Sequence, residues 1–285
     1  SLTFMYVWPI LTSVMITRFA PSPTGYLHLG HAFAALTVWD AAQAAGGVML
    51  LRIEDIDRNR ARAEYEAAIH SDLAWLGLRW PSPVLRQSDQ MADYAAVLDR
   101  LIAAGLVYRC FKTRKDLAED SANAPHGAGL IVRGGPHKDE ATLQASHAPF
   151  AWRLSLDAAR AHLGPRFETL RFAADGHTVR AQPERLGDVI LARKDAPTSY
   201  HLASVWDDAR QGVTHVIRGE DLAEAAHLHV LLQALLDLPT PVYRHHRLIL
   251  GADGKRLSKR NGAAALQSLR AAGKNPADIR RLLAL

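Results

Sequence analysis

One cysteine, Cys110, stands in 285 residues, so the chain holds no internal disulfide and its thiol usage fits a reducing cytoplasm. The same scarcity bears on metals. A tetrahedral zinc takes about four ligands, and Cys110 with His126, His137 or His147 is a set without recognisable spacing, so no protein-bound zinc or other metal is expected. Long apolar runs are missing too. Pro9 and Thr12-Ser13 interrupt the N-terminal stretch before the ~18 residues that cross a membrane, and residues 2–14 lack the positively charged start of a signal peptide. No membrane partner is expected, and residues 1–14 read as an extension upstream of a start at Met15. Acidic residues, 29 in all, fall short of the 34 lysines and arginines, and the resulting charge of +5 with a pI near 9.5 favours a polyanionic partner. A hydrophobic content of 48% supports a globular core, enough for one large α/β domain with an inserted subdomain.

What is present begins at residues 18–31, RFAPSPTGYLHLGH. Ile16 to Phe19 suits a short strand, and the run PSPTG that follows from Pro21 allows neither strand nor helix to continue. Near His28 a helix begins: AFAALTVWDAAQAA is rich in alanine and carries Phe33, Leu36 and Val38, the pattern of a helix packed on a sheet. The N-terminus of such a helix offers unpaired N–H groups and positive dipole charge, and Gly30 lets a nucleotide lie close to the backbone. His28 and His31 add donors suited to phosphate oxygens. Taken alone, HLGH fits a tight strand–helix turn with two surface histidines equally well.

A second cationic segment lies near the far end, in LILGADGKRLSKRNGAAAL. Leu248 to Leu250 reads as a buried strand end, the next four residues as a turn, and residues 255–260 as a loop with four cations in six positions. Such a loop suits an anion, or is a solvated basic turn.

Between these segments the rhythm is α/β. A helix ending at Gly46-Gly47 is followed by a buried strand, VMLLRI, and an amphipathic helix ending at Gly77, so residues 15–105 form the first half of a doubly wound fold. Ligands bind such sheets beyond the carboxyl ends of the strands, which puts Glu54 and Asp55 at the site, with Asp57 as a structural carboxylate of the loop. Residues 106–185 lose the pattern and are expected to form an inserted α+β subdomain of short strands and a helix. Residues 186–262 resume it as strand, helix, turn, strand and loop, and residues 263–285 hold a short helical stub, NPADIRRLLAL.

With RFAPSPTG ahead of HLGH and RLSKR at residues 256–260, the chain resembles the class I aminoacyl-tRNA synthetases, whose HIGH and KMSKS signatures these segments match; PSPTG points to their glutamyl branch. The resemblance covers about residues 15–270. It implies a Rossmann-type doubly wound parallel sheet and an ATP-dependent ligase. His28, Gly30, His31, Ser258 and Lys259 would meet ATP, with His28, His31 and Lys259 as catalytic groups. Arg18, Ala20, Ser22, Glu54, Tyr200 and Arg218 would meet L-glutamate, Glu54 receiving the ammonium, while Trp206, Asp207 and Asp208 would close the pocket. Magnesium would bridge the ATP phosphates. Arg260 replaces the last serine of KMSKS and keeps the charge. A departure matters more at YRCFKTRKDL, where relatives often carry a zinc-binding cysteine set and this chain has Lys112.

Glutamate carries two carboxylates and one ammonium, so a selective pocket needs two cationic groups and one acidic group. Arg18, Arg218 and Glu54 supply them, and arginine suits bidentate carboxylate binding. The arginine that holds each carboxylate is not fixed by the sequence. Fully glutamate-charging relatives continue far beyond the KMSKS loop into anticodon-binding domains, for which the residues after 260 leave no room. The expectation is therefore the short branch of the family, acting as a monomer, which attaches glutamate to queuosine in the anticodon stem-loop of tRNA(Asp). The alternatives are a fragment or minimal form of a glutamyl-tRNA synthetase that charges tRNA(Glu) and a non-catalytic homologue that binds nucleotide or tRNA. Lys112, Arg114, Lys115 and Arg133 are candidate RNA-phosphate contacts.

Overall fold

The computed structural model describes residues 14–112, 135, 142, 148–193, 197–251, 257 and 264–285. It begins with two βα units, β1 (Ile16–Phe19), α1 (Leu29–Ala44), β2 (Val48–Ile53) and α2 (Ala63–Trp75), followed by β3 (Leu85–Arg86) and α3 (Met91–Ala103). The three strands run parallel in the order β1-β2-β3. Helix α1 ends where Gly46 takes a positive φ of 60°, a conformation open to glycine.

A further βα unit lies beside β1. Strand β9 (His215–Gly219) follows helix α6 (Tyr200–Arg210), leads into α7 (Ala223–Leu235) and pairs in parallel with β10 (Val242–His246). The backbone N–H of Thr214 donates to the Ile16 carbonyl at 2.8 Å, and the far ends of both strands reach one cleft, so β1 and β9 run side by side in the same direction. The chain thus winds outward on both sides from this join, and such a switch point leaves a crevice at the strand ends.

Residues 107–110 and 151–193 contribute to two places. Strands β4 (Val107–Cys110), β5 (Ala151–Leu154) and β8 (Ile190–Arg193) form an antiparallel sheet in the order β4-β5-β8. Between β5 and β8, helices α4 (Leu156–Leu163) and α5 (Pro165–Thr169) lead to the hairpin β6 (Arg171–Ala174) and β7 (His177–Arg180). The hairpin adds to the outer edge of β10 through Tyr243 and Ala174. Grouping by sequence rhythm puts β6 and β7 with the insertion and β8 with the second half, whereas hydrogen bonding joins the hairpin to the large sheet and β8 to the small one. Short antiparallel strands carry no mark of the sheet they will join.

Two apolar cores cover the large sheet. Phe33, Leu36, Ile69, Leu73 and Ile53 pack in one; Leu98, Leu202, Val216, Leu231 and Tyr243 pack in the other. The last helices, α8 (Leu266–Ala271) and α9 (Pro276–Leu283), add Leu266, Ile279 and Leu283 to the first core, and Arg280 grips Asp40 of α1 through both of its terminal nitrogens at 2.8 and 2.7 Å. Leu248 to Leu250, expected as a buried strand end, lie beyond the end of β10, and Leu250 is exposed. No helix among the described residues is long and apolar enough to cross a membrane.

Candidate functional site

A cleft of about 250 Å³ opens at the carboxyl ends of β1 and β9. Nine residues singled out in the sequence line it together: Arg18, Ala20, Ser22, His28, Gly30, His31, Glu54, Tyr200 and Arg218. Ser258, Lys259, Arg256 and Arg260 lie outside the described residues, as do His126, His137, His147, Arg114, Lys115 and Arg133. Lys112 is exposed.

The N-terminus of α1 forms one wall. His28 caps it with extended backbone: its Nδ1 accepts from the Gly30 N–H at 3.1 Å, and the His31 Nδ1 accepts from the His28 N–H at the same distance. This is a reciprocal capping box made of two imidazoles. Because both Nδ1 atoms are acceptors, each neutral ring carries its proton on Nε2, so each is a donor there. Gly30 is fixed by its neighbour, since a Cβ would stand 3.0 Å from the His28 ring.

Opposite lies a buried ionic network. The Arg52 side chain has no exposure; Nη1 donates to Asp208 at 2.6 Å and to Gln211 at 3.1 Å, and Nη2 donates to Glu54 at 3.1 Å. Arg18 donates from Nε to the same Asp208 oxygen at 2.9 Å. Burial pushes the Asp208 carboxyl up, but Arg18 and Arg52 outweigh it and hold the group below the ordinary carboxylate range. At Glu54 burial wins: its carboxyl sits above the usual value despite Arg52 and Arg18. An arriving ammonium would favour the ionised form again. Asp207, raised by burial, accepts from Gln87 and Tyr94 at 2.8 Å each.

Trp206, Asp207 and Asp208 are absent from the lining of the cleft; the two carboxylates lie beneath it and brace it. Asp55 accepts from the Ser88 N–H at 2.7 Å, and Asp57 pairs with Arg60 at 2.6 Å within its own loop.

Arg218 is the cation of the other half. It is 6% exposed, lies over the Tyr243 ring at 5.3 Å, and gives Nη1 to both Tyr200 Oη and His229 Nδ1 at 3.3 Å. Its Nε and Nη2 are buried with no hydrogen-bond partner among the described residues. Two adjacent guanidinium donors in this state match the two oxygens of a carboxylate. Arg52, His201 and His229 escaped the sequence reading. Arg52 had a usable signal, since a cation inside the apolar strand VMLLRI, two residues before Glu54, shares its face and needs a buried partner.

A larger cleft of about 1100 Å³ adjoins the first and shares Ser22, Glu54 and Tyr200 with it. Arg58, Arg153, Arg193, Thr198 and His201 are among its walls, which rise from both the large and the small sheet. The arrangement offers a compact site for a small zwitterion with a second anionic group, an anion-binding helix start beside it, and an open approach for a bulkier reactant. Among the described residues no group of three or more His, Cys, Asp or Glu side chains could hold a metal ion.

Comparison with known proteins gives matching results. Residues 14–150 and 168–285 match the family described as tRNA synthetases class I (E and Q), catalytic domain. The chain is 53% identical over 281 residues to the glutamyl-Q tRNA(Asp) synthetase of Rhodobacter capsulatus, covering 95% of this chain and 100% of that one. It is 39% identical to glutamate–tRNA ligase 2 of Roseobacter denitrificans, covering 96% of this chain and 57% of the ligase. Among solved structures, a glutamate tRNA ligase from Elizabethkingia meningosepticum in complex with its amino acid superposes with a TM-score of 0.70 at 29% identity, over 88% of this chain and 53% of that one.

Proposed function

The chain belongs to the class I tRNA synthetases of the glutamate and glutamine type, and we propose that it activates L-glutamate with ATP and transfers it to queuosine in tRNA(Asp). The observation that carries the amino-acid part is the buried pair of unpartnered donors on Arg218, in the same cleft as Glu54. One carboxylate of glutamate takes Arg218, the ammonium takes Glu54, and Arg18, braced by Asp208, serves the remaining carboxylate. A glutamine side chain would leave the guanidinium that reads the side-chain carboxylate without its charge partner, a mismatch of the kind worth up to ~10⁴ in discrimination.

In the first step an α-carboxylate oxygen of glutamate attacks the α-phosphorus of ATP. The bond to the β,γ unit breaks, and glutamyl-adenylate and pyrophosphate result. The protein positions and neutralises; it supplies no nucleophile. We assign the start of α1, with Gly30 and the Nε2 donors of His28 and His31, to the ATP phosphates, and Lys259 and Ser258 of the RLSKR segment to the departing pyrophosphate. Magnesium, carried on the phosphates, would supply charge neutralisation. In the second step a hydroxyl of the queuosine cyclopentene diol attacks the activated carbonyl, AMP leaves and an ester forms. The larger cleft is the assigned approach for that nucleoside. One copy of the chain holds the whole glutamate set, so this chemistry needs no second subunit.

The test uses labelled glutamate with tRNA from cells able and unable to make queuosine, each with its 3′-terminal adenosine intact or removed. Label should require queuosine and ignore the 3′ end. Label that requires the terminal adenosine and not queuosine would instead assign the chain to tRNA(Glu) charging.

A further inference from the structure

Arg218 is held by one partner that the glutamate chemistry itself does not need, a buried histidine on the next helix. His229 of α7 is 2% exposed, and its Nδ1 lies 3.3 Å from Nη1 of Arg218. Its Nε2 lies 3.1 Å from Nδ1 of His201 on α6, and His201 lines the larger cleft. Arginine has donors only, so His229 Nδ1 must accept; its proton then sits on Nε2 and is donated to His201 Nδ1. Every contact in this chain of three residues is satisfied by one tautomer of each ring. Placing a proton on His229 Nδ1 would set two donors against each other.

We propose that His229 is a positioning residue of the glutamate site, which by accepting from Nη1 turns the remaining guanidinium donors of Arg218, Nε and Nη2, toward the substrate carboxylate. This rests on the reading of the cleft as a glutamate site. The geometry separates the roles of the three Arg218 nitrogens: Nη1 is occupied by Tyr200 and His229, while Nε and Nη2 are the pair left over. The Tyr243 ring lies against the Arg218 guanidinium, and the histidine contact adds to the Tyr200 hydroxyl, also at 3.3 Å, a second hold on Nη1.

The charged and titratable groups around His229 are Arg218 on β9, Tyr200 and His201 on α6, Arg18 on β1 and Arg52 on β2. Burial and then Arg218 keep His229 well below the ordinary imidazole value, and the same two causes hold His201 at about 4. Both rings are therefore held toward the neutral form, in which Nδ1 can accept. A cation here would repel the arginine; a neutral imidazole supports it.

The experiment measures glutamate-dependent ATP–pyrophosphate exchange for the wild type, His229→Leu and His229→Asn. Leucine fills similar volume without an acceptor, whereas the asparagine Oδ1 can replace Nδ1. His229→Leu should raise the glutamate KM about tenfold or more, the usual effect of losing a hydrogen bond to a charged group, and leave the ATP KM within about twofold. His229→Asn should restore most of the glutamate KM. An unchanged glutamate KM in His229→Leu, or an asparagine variant as impaired as the leucine variant, would overturn the proposal. If His229→Leu does not fold, the asparagine variant decides alone: a near-wild-type glutamate KM is required. Absence of glutamate-dependent exchange in the wild type would overturn the functional reading instead, which keeps the two failures apart.

Discussion

Asp72 is 2% exposed, its Oδ2 has no hydrogen-bond partner among the described residues, and burial lifts its carboxyl to about 6 against the pull of Arg270. The sign of the consequence follows from proton linkage. The fold favours the protonated form, so below the unfolded value the group contributes nothing, and stability falls as pH rises from about 4 through about 6. At neutral pH the whole penalty is present, on the order of 2–3 kcal/mol. Asp72→Asn should therefore raise the urea midpoint at about pH 7 and lose that advantage near pH 4. Equal midpoints for variant and wild type at neutral pH would mean the carboxylate is solvated in the native state. At this scale the sequence was legible only where a residue type had one plausible task. Arg18, Glu54 and Arg218 line the cleft together as their motifs implied, whereas His229 sits in the apolar helix sequence AEAAHLHVLLQAL and reads as core until Arg218 is placed beside it.

Helix α1 shows how an element prepares chemistry before any ligand arrives. The strand–turn–helix order was readable from PSPTG and the alanine-rich run, because proline and periodicity act locally. The use of both imidazole Nδ1 atoms as caps was not, since capping by histidine has no strong sequence signature. That cap fixes the rings with Nε2 as donors, and Gly30 keeps them where they are. Gly30→Ala puts a methyl against the His28 ring and over the helix start. It should raise the ATP KM about tenfold in the exchange assay while the glutamate KM stays within about twofold, as expected when one set of electrostatic contacts shifts. A variant with unchanged ATP KM would place the phosphates elsewhere. Element membership was harder to read than element type: β6 and β7 are strands in a stretch expected to hold them, but β6 joins their hairpin to β10, about 70 residues later in sequence.

On the scale of the whole molecule, the two halves meet through charge as well as through backbone. Arg18 of β1 and Arg52 of β2 converge on Asp208 of α6, so one carboxylate ties together segments 190 and 156 residues apart. Composition could not disclose this, because a buried ion pair uses the same residues as a solvated surface. The triad stands at the base of the cleft at the ends of β1 and β9, and Asp208 also orients Arg18 within it. Its carboxyl is held below the ordinary range, so Asp208 contributes stability above the unfolded value of about 4 and loses it only as pH falls through the lower folded value. Asp208→Asn removes the charge with little change of shape and leaves two buried guanidinium groups undercompensated. Breaking a buried pair in this way typically costs about 3–5 kcal/mol. Urea unfolding should lose that amount at neutral pH, and because the same carboxylate aims Arg18, the glutamate KM of whatever folds should rise together with it. A variant that loses stability but keeps its glutamate KM would separate the brace from the site and leave Arg18 oriented by packing alone.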